Sequence, residues 1–225
     1  MLPVGDDDVR GAGLPVVSWL LIGINVLVFV YELSLGSDQL QGFFNQYGVV
    51  PTQIAAGENL VSLVTSMFLH GGWMHIIGNM LFLFVFGDNV EAVLGSVLYL
   101  FFYLAGGLAA SAAHIFFNMG SNVPSLGASG AIAAVLGAYV VMFPRARVRI
   151  VVFLLYFVRI TRVTAVLFVG VWFLTQFLYG VASLGAESAQ TAGVAYWAHV
   201  GGFVLGLVAG VAFRQRAQGM GLQRA

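Results

Sequence analysis

Six apolar runs constrain this chain more than any other feature. They are Pro15 to Leu33, Trp73 to Leu94, Ser96 to Phe117, Ser129 to Phe143, Val163 to Val181 and Val194 to Phe213. A helix needs about 20 apolar residues to cross a hydrocarbon core of about 30 Å. Only helices and closed barrels satisfy the backbone in lipid, and runs apolar on every face read as helices. The expected fold is therefore all-α and polytopic, a bundle of six transmembrane helices. The charge content agrees: 8% of residues are charged, against about a quarter in soluble domains. The expected division is a short cytoplasmic tail (1–14), one membrane domain (15–215) and a second cytoplasmic tail (216–225). The start, "MLPVGDDDVRGAG", is too polar for a signal peptide, so the first run reads as an uncleaved anchor. The segment "IVVFLLYFV" at 150–158 is too short to span. It reads as an interfacial stretch or an extension of the fifth helix.

Orientation follows from the basic residues, all nine of which are arginines. Arg10 precedes the first helix. Arg145, Arg147, Arg149, Arg159 and Arg162 lie between the fourth and fifth, and Arg214, Arg216 and Arg224 follow the sixth. Six spans put all of them on one side; an odd number does not. The positive-inside rule then places both termini in the cytoplasm of a multi-pass protein, expected in the cell (inner) membrane. Zero net charge points to no nucleic-acid partner, and a chain without cysteine has no disulfide framework.

The fourth run is short. From Ser129 to Phe143 it measures about 22 Å, with Pro144 and Arg145 at its cytoplasmic end. Ser129 therefore sits below the outer surface, and the loop "NMGSNVPSLGA" before it dips into the membrane. Irregular backbone at that depth is tolerated only inside protein or beside water. The expectation is a sunken, wet site with Ser129 on its floor, given room by Gly127, Ala128 and Gly130.

Other polar groups gather at this depth. His199 lies about five residues, or roughly 7 Å, into the sixth helix. His70, His75 and Asn79 sit at the outer end of the second helix, in "FLHGGWMHIIGNMLF". His75 and Asn79, four apart, share a face. Ionisable groups inside a membrane default to functional hypotheses. Two small-residue stripes, Ser129/Ala133/Gly137 and Gly202/Gly206/Gly210, allow close helix approach and bring His199 toward Ser129. A serine with a histidine in reach is the chemistry of acyl transfer. His199 would be base and then acid, with Asn79, His75 and the Ser129 N–H as oxyanion donors. Asp88 and Glu91 lie about 20 Å or more away, at the cytoplasmic end, so a Ser-His dyad is expected rather than a triad.

These residues resemble the rhomboid family of intramembrane serine proteases. The resemblance rests on "GASG" at 127–130, "HGGWMHIIGN" at 70–79 and "AHVGGFVLG" at 198–206, in the family's order, and covers about residues 15 to 215. It implies a rhomboid-like bundle with Ser129 as nucleophile and His199 as general base. Asn79 and His75 become oxyanion donors, joined by Gly127 in the substrate-stabilising set. His70, Gly202 and Gly206 become supporting residues. It implies single-pass or polytopic membrane-protein substrates, cut near their outer ends, with no cofactor or metal. Two positions depart from the pattern of some members. Ala133 stands where an aromatic stacks on the histidine, leaving Tyr196, Trp197 or Phe203 as candidates to hold His199. The first outer loop lacks a Trp-Arg pair, and its "LQGFFNQYGVV" reads as an amphipathic wedge in the outer leaflet.

The remaining polar and aromatic residues take plainer readings. His114 and Asn118 cap the third helix. Glu91 caps or braces the cytoplasmic end of the second. Trp172, Phe173 and Phe177 face lipid or pack. Three rival readings stand beside the protease: a zinc site on His70, His75 and His199, a non-catalytic rhomboid-like scaffold, chaperone or transporter that binds membrane proteins, and a purely structural bundle. Against zinc stands the lack of an HExxH motif and of a carboxylate near enough to act as base; against the scaffold, that both Ser129 and His199 are kept; against the structural bundle, the convergence of polar groups from helices two, four and six.

Overall fold

The computed structural model describes residues 2–9, 13–154, 157–184 and 195–223. Arg10, Arg224 and nearly all of the third outer loop fall outside the described residues. The spans appear where hydropathy puts them. Five helices are long and apolar enough to cross a membrane: α1 (Val16–Leu33), α5 (Trp73–Leu94), α6 (Ser96–Phe117), α8 (Ala165–Ser183) and α9 (Tyr196–Met220). The sixth, α7 (Ser129–Met142), is shorter. At about 21 Å it cannot cross the core alone, so its first residue lies within the bundle. The chain is a mostly helical membrane bundle.

The first outer loop folds into three short helices, α2 (Ser37–Tyr47), α3 (Pro51–Ala55) and α4 (Ser62–Thr65). Along α2, Leu40, Phe43, Phe44 and Tyr47 are half-buried at helical spacing, and no residue of it is fully buried. It is an amphipathic surface helix. The loop is stitched to the one before Ser129. Val49 and Ser125 exchange N–H···O bonds of 2.8 Å, and Thr52 Oγ1 lies 2.6 Å from Asn122 Oδ1. No Trp-Arg pair is needed for that anchorage.

At the centre stands α7. Its sequence, SGAIAAVLGAYVVM, is apolar all round, which is the pattern of a helix buried on every side, and Gly130 to Tyr139 are all buried. It packs on α9, α6 and α5. The glycine stripe of α9 makes the closest of these contacts. A Cβ on Gly202 would lie 2.0 Å from the carbonyl oxygen of Gly130, and one on Gly206 2.0 Å from that of Ala134. Gly210 faces Ala138 in the same way. The facing surface on α7 is thus two adjacent rows: Gly130/Ala134/Ala138, and beside it the stripe read in the sequence, where a Cβ on Gly137 would lie 2.3 Å from the carbonyl oxygen of Phe203. Ser129 stands at the rim of the contact rather than under it, free to meet His199.

The other end of the bundle carries a small β-structure that helical periodicity did not foretell. Of the segment 150–158, read as an interfacial stretch or helix extension, residues 155 and 156 lie outside the described residues, and the rest belongs to two paired antiparallel strands, β3 (Arg147–Leu154) and β4 (Phe157–Thr164). The N-terminal strand β1 (Leu2–Gly5) adds to it, in the order β1-β3-β4. A two-residue strand, β2 (Asp8–Val9), pairs with β5 (Leu222–Gln223). The cause is composition: "RVRIVV" and "RITRVT" alternate polar and β-branched residues, a period of two. Val148 and Ile150 turn into the core, while Arg147 is exposed. The fifth span consequently begins at Ala165.

Acidic groups fasten this end. Glu91 is buried and accepts the N–H groups of Val17 and Ser18 at 2.9 and 2.8 Å, with the hydroxyls of Ser18 and Ser96 at 2.8 and 2.6 Å. It therefore caps the start of α1, a neighbouring helix, rather than the end of its own. A carboxylate there meets both the orphan donors and the positive end of the helix dipole. Asp6 accepts from Tyr139 Oη and from Asn89 Nδ2, and Asp7 accepts the Arg147 N–H at 2.9 Å.

Gly206→Ala must push α9 off α7 and should lower stability by about 1–3 kcal/mol. Gly219→Ala, on the same helix with nothing within 4 Å, should be neutral or gain up to about 1 kcal/mol. Thermal unfolding in detergent checks the pair; equal midpoints would remove the contact from the account.

Candidate active site

Ser129 is the first residue of α7 and His199 the fourth of α9. The register set by the glycines brings them together: Ser129 Oγ lies 2.7 Å from His199 Nε2. The first N–H groups of α7 have no intrahelical acceptor. They sit at the positive end of the helix dipole, beside the hydroxyl. A cavity of about 30 Å³ lies behind the serine, lined by Ser66, Ser111, His114 and Ser125 among others. That is room for about two waters, with these polar groups set among apolar residues such as Val49, Met67 and Leu126.

Across the notch stands the start of α5. Gly127 has φ +126°, a backbone region that disfavours side chains. A Cβ there would lie 2.6 Å from His75 Nε2 and 3.6 Å from Ser129 Oγ. Glycine is what lets His75 approach the serine. Gly127 does not serve as a donor, because its N–H is given to the Ser66 carbonyl at 2.8 Å. The Gly71 N–H donates to His75 Nδ1 at 3.4 Å, which leaves Nε2–H as the donor facing the notch. Asn79 Nδ2 lies 2.9 Å from His70 Nε2. An amide nitrogen carries two N–H groups, so one remains after His70 is served. His70 is 1% exposed and lies behind Asn79 as a support.

Three residues were not singled out for these positions from the sequence. Gln176 of α8 places Oε1 2.7 Å from His199 Nδ1. Trp172, one turn earlier, sets its ring 5.8 Å from the imidazole, inclined by 40°. The candidates for that place are occupied elsewhere: Tyr196 stacks on Tyr179, Trp197 on Phe117 and Phe203 on Phe173. Trp172 therefore touches the site rather than only packing or facing lipid. Glu32, at the end of α1, is buried, and its carboxylate accepts the His70 N–H at 3.1 and 3.3 Å. A glutamine and a glutamate inside apolar spans were the available signals. His114 lines the cavity, and Asn118 caps α6 by donating to the His114 carbonyl at 2.8 Å.

Residues 57–216 match the Rhomboid domain. The chain belongs to the rhomboid family. It is 30% identical over 198 residues to rhomboid protein 1, mitochondrial, of Saccharomyces cerevisiae, covering 85% of this chain and 51% of that one. It is 35% identical over 127 residues to rhomboid protease GluP of Bacillus subtilis, covering 56% and 24%. Presenilin-associated rhomboid-like protein A, mitochondrial, of Danio rerio is 34% identical over 99 residues, covering 43% and 26%. The chain thus spans about half the length of the yeast rhomboid and about a quarter of the other two. Among the described residues of this rhomboid, no three His, Asp or Glu side chains converge as metal ligands.

Glu32→Leu would leave the buried His70 N–H without its acceptor. The expected loss is about 1–3 kcal/mol, whereas Glu32→Gln keeps an acceptor and should lose less than about 1. Unfolding midpoints of the two variants check this, and a Leu variant as stable as wild type would contradict it.

Proposed function

We propose that this rhomboid is an intramembrane serine endopeptidase that cleaves transmembrane segments of membrane proteins near their outer ends. One observation carries the reading: a serine hydroxyl at a helix N-terminus within 2.7 Å of a buried imidazole nitrogen, among spans long enough to cross a membrane. Ser129 Oγ attacks the scissile carbonyl carbon while its proton passes to His199 Nε2. The new oxyanion is met by the Ser129 N–H, Asn79 Nδ2–H and His75 Nε2–H. Collapse breaks the C–N bond, and His199 returns the proton to the leaving amine. Water then attacks the acyl ester and gives its proton to Nε2. The ester C–O bond breaks, and Oγ recovers the proton. The cavity beside Ser129, with its serine hydroxyls and His114, is a place from which that water can come. The arginine-bearing end, with its sheet, is read as cytoplasmic in the cell (inner) membrane, and residues 15–215 as the membrane domain.

The decisive experiment labels the detergent-purified protein with a fluorophosphonate and maps the adduct. Wild type should carry it on Ser129; Ser129→Ala and His199→Ala should not, because members of one catalytic unit fail together. A folded wild type without adduct would leave a non-catalytic, membrane-protein-binding rhomboid. In cleavage of a transmembrane substrate, Asn79→Ala should lower turnover by about tenfold to a thousandfold. Unchanged turnover would reduce Asn79 to a helix-joining residue.

A further inference from the structure

We propose that Gln176 of α8 is the positioning residue of the base: by accepting the Nδ1–H of His199 it holds the imidazole in the tautomer whose Nε2 lone pair faces Ser129. This assignment rests on the protease reading and deepens it. A neutral imidazole carries one N–H and one lone pair. The hydroxyl of Ser129 can be deprotonated only if the lone pair is on Nε2, which requires the proton on Nδ1. An amide oxygen can only accept, and Oε1 stands 2.7 Å from Nδ1. The contact on Nδ1 selects this tautomer, and the Ser129 hydroxyl, which can donate, fits it on Nε2.

The amide is itself oriented. Its Nε2 donates to Thr175 Oγ1 at 3.4 Å, and that hydroxyl donates to the Trp172 carbonyl at 2.6 Å. The nitrogen is thereby turned toward Thr175 and the oxygen toward His199. Trp172 fixes the plane of the ring from the same helix but offers Nδ1 no acceptor. The titratable groups whose charge bears on His199 are His75 of α5 and His114 of α6. From α7 it meets Ser129 and from α8 Gln176 and Trp172, none of them charged. Among the described residues no carboxylate takes the third place, and the group that sets the tautomer is a neutral amide. An amide orients the imidazole without offering a counter-charge to the imidazolium formed during attack, unlike the aspartate of a triad.

Two readouts test this. The first is ¹⁵N NMR of the histidine ring in the full-length protein, on wild type and Gln176→Leu. Wild type should show a proton-bearing Nδ1 and an unprotonated Nε2 for His199. The Leu variant should lose that preference. The second is the rate of fluorophosphonate labelling of Ser129 against pH. Gln176→Leu should label about tenfold more slowly or worse. Gln176→Glu should label well, with its acid limb moved up by about one pH unit, since an anion beside an imidazole favours the imidazolium. A wild-type His199 protonated on Nε2, or a Glu profile superimposed on wild type, would overturn the assignment. Should the Leu variant fail to fold, the Glu profile and the wild-type tautomer still decide. A wild type with the Nδ1–H tautomer but no Ser129 adduct would sink the protease reading and leave the positioning of the ring standing.

Discussion

Everything at the site depends on how closely α9 lies against α7. Lipid gives two apolar helices no hydrophobic reason to associate, so packing and polar contacts must supply it. Here the backbone of one helix lies on the backbone of the other, because Gly202 and Gly206 carry nothing that would meet the carbonyls of Gly130 and Ala134. That contact sets both the separation and the register of the two helices. Ser129 is one residue before Gly130, and His199 three before Gly202. Once the glycines are seated, a hydroxyl and an imidazole nitrogen meet at 2.7 Å. A side chain at either glycine would part them without touching either one. The serine-histidine pair is thus a consequence of packing a turn away from it.

The two ends of the bundle treat buried polar groups differently. At the arginine-bearing end they are closed off. Glu91 takes four donors, and Asp6 and Asp7 fasten the N-terminal segment to Tyr139, Asn89 and the hairpin. At the other end the partners form a chain, and each link leaves a group free for the next. Glu32 holds the backbone of His70, and His70 Nε2 takes one N–H of Asn79. The second N–H of Asn79 is left for the site. His75 likewise takes the Gly71 N–H on one nitrogen and presents the other across Gly127. In the proposed mechanism these spare donors meet the oxyanion, prepositioned by bonds made before any substrate arrives.

What the sequence disclosed follows from the range of each interaction. Hydropathy is summed over twenty residues and survives any local surprise, so the spans were legible. Ser129, His199 and the glycine stripe of α9 were legible because close helix packing restricts residue size at a fixed spacing. The stripe read on α7 was incomplete rather than misplaced: Gly137 does meet α9, but Gly130, Ala134 and Ala138 beside it meet the α9 glycines, and in a helix of almost uniformly small residues spacing alone does not mark that second row. The hairpin was missed because hydrophobicity was counted and its period was not: Val148 and Ile150 with Arg147 and Arg149 between and beside them is a strand pattern. Gln176 and Glu32 were missed for another reason. Each reaches its partner across 23 and 38 residues of chain, and nothing local to either one reveals what it will face.

The choice of an amide beside His199 has a physical rationale in its surroundings. His199 is 8% exposed, and α8 brings no cation with which a carboxylate at position 176 could pair. An ionised carboxylate there would have to be desolvated against a single imidazole N–H, at a cost of several kcal/mol. It would recover part of that cost by drawing a second proton onto the imidazole, which removes the Nε2 lone pair over a wider acid range. The base would then act only at higher pH. An amide anchored through Thr175 has one face that accepts and one that donates, at every pH. In a low-dielectric site a fixed dipole of the right sign secures the orientation of the ring without charging the interior. What it gives up is electrostatic support for the imidazolium, a support that the proposed mechanism must draw instead from the oxyanion formed beside it.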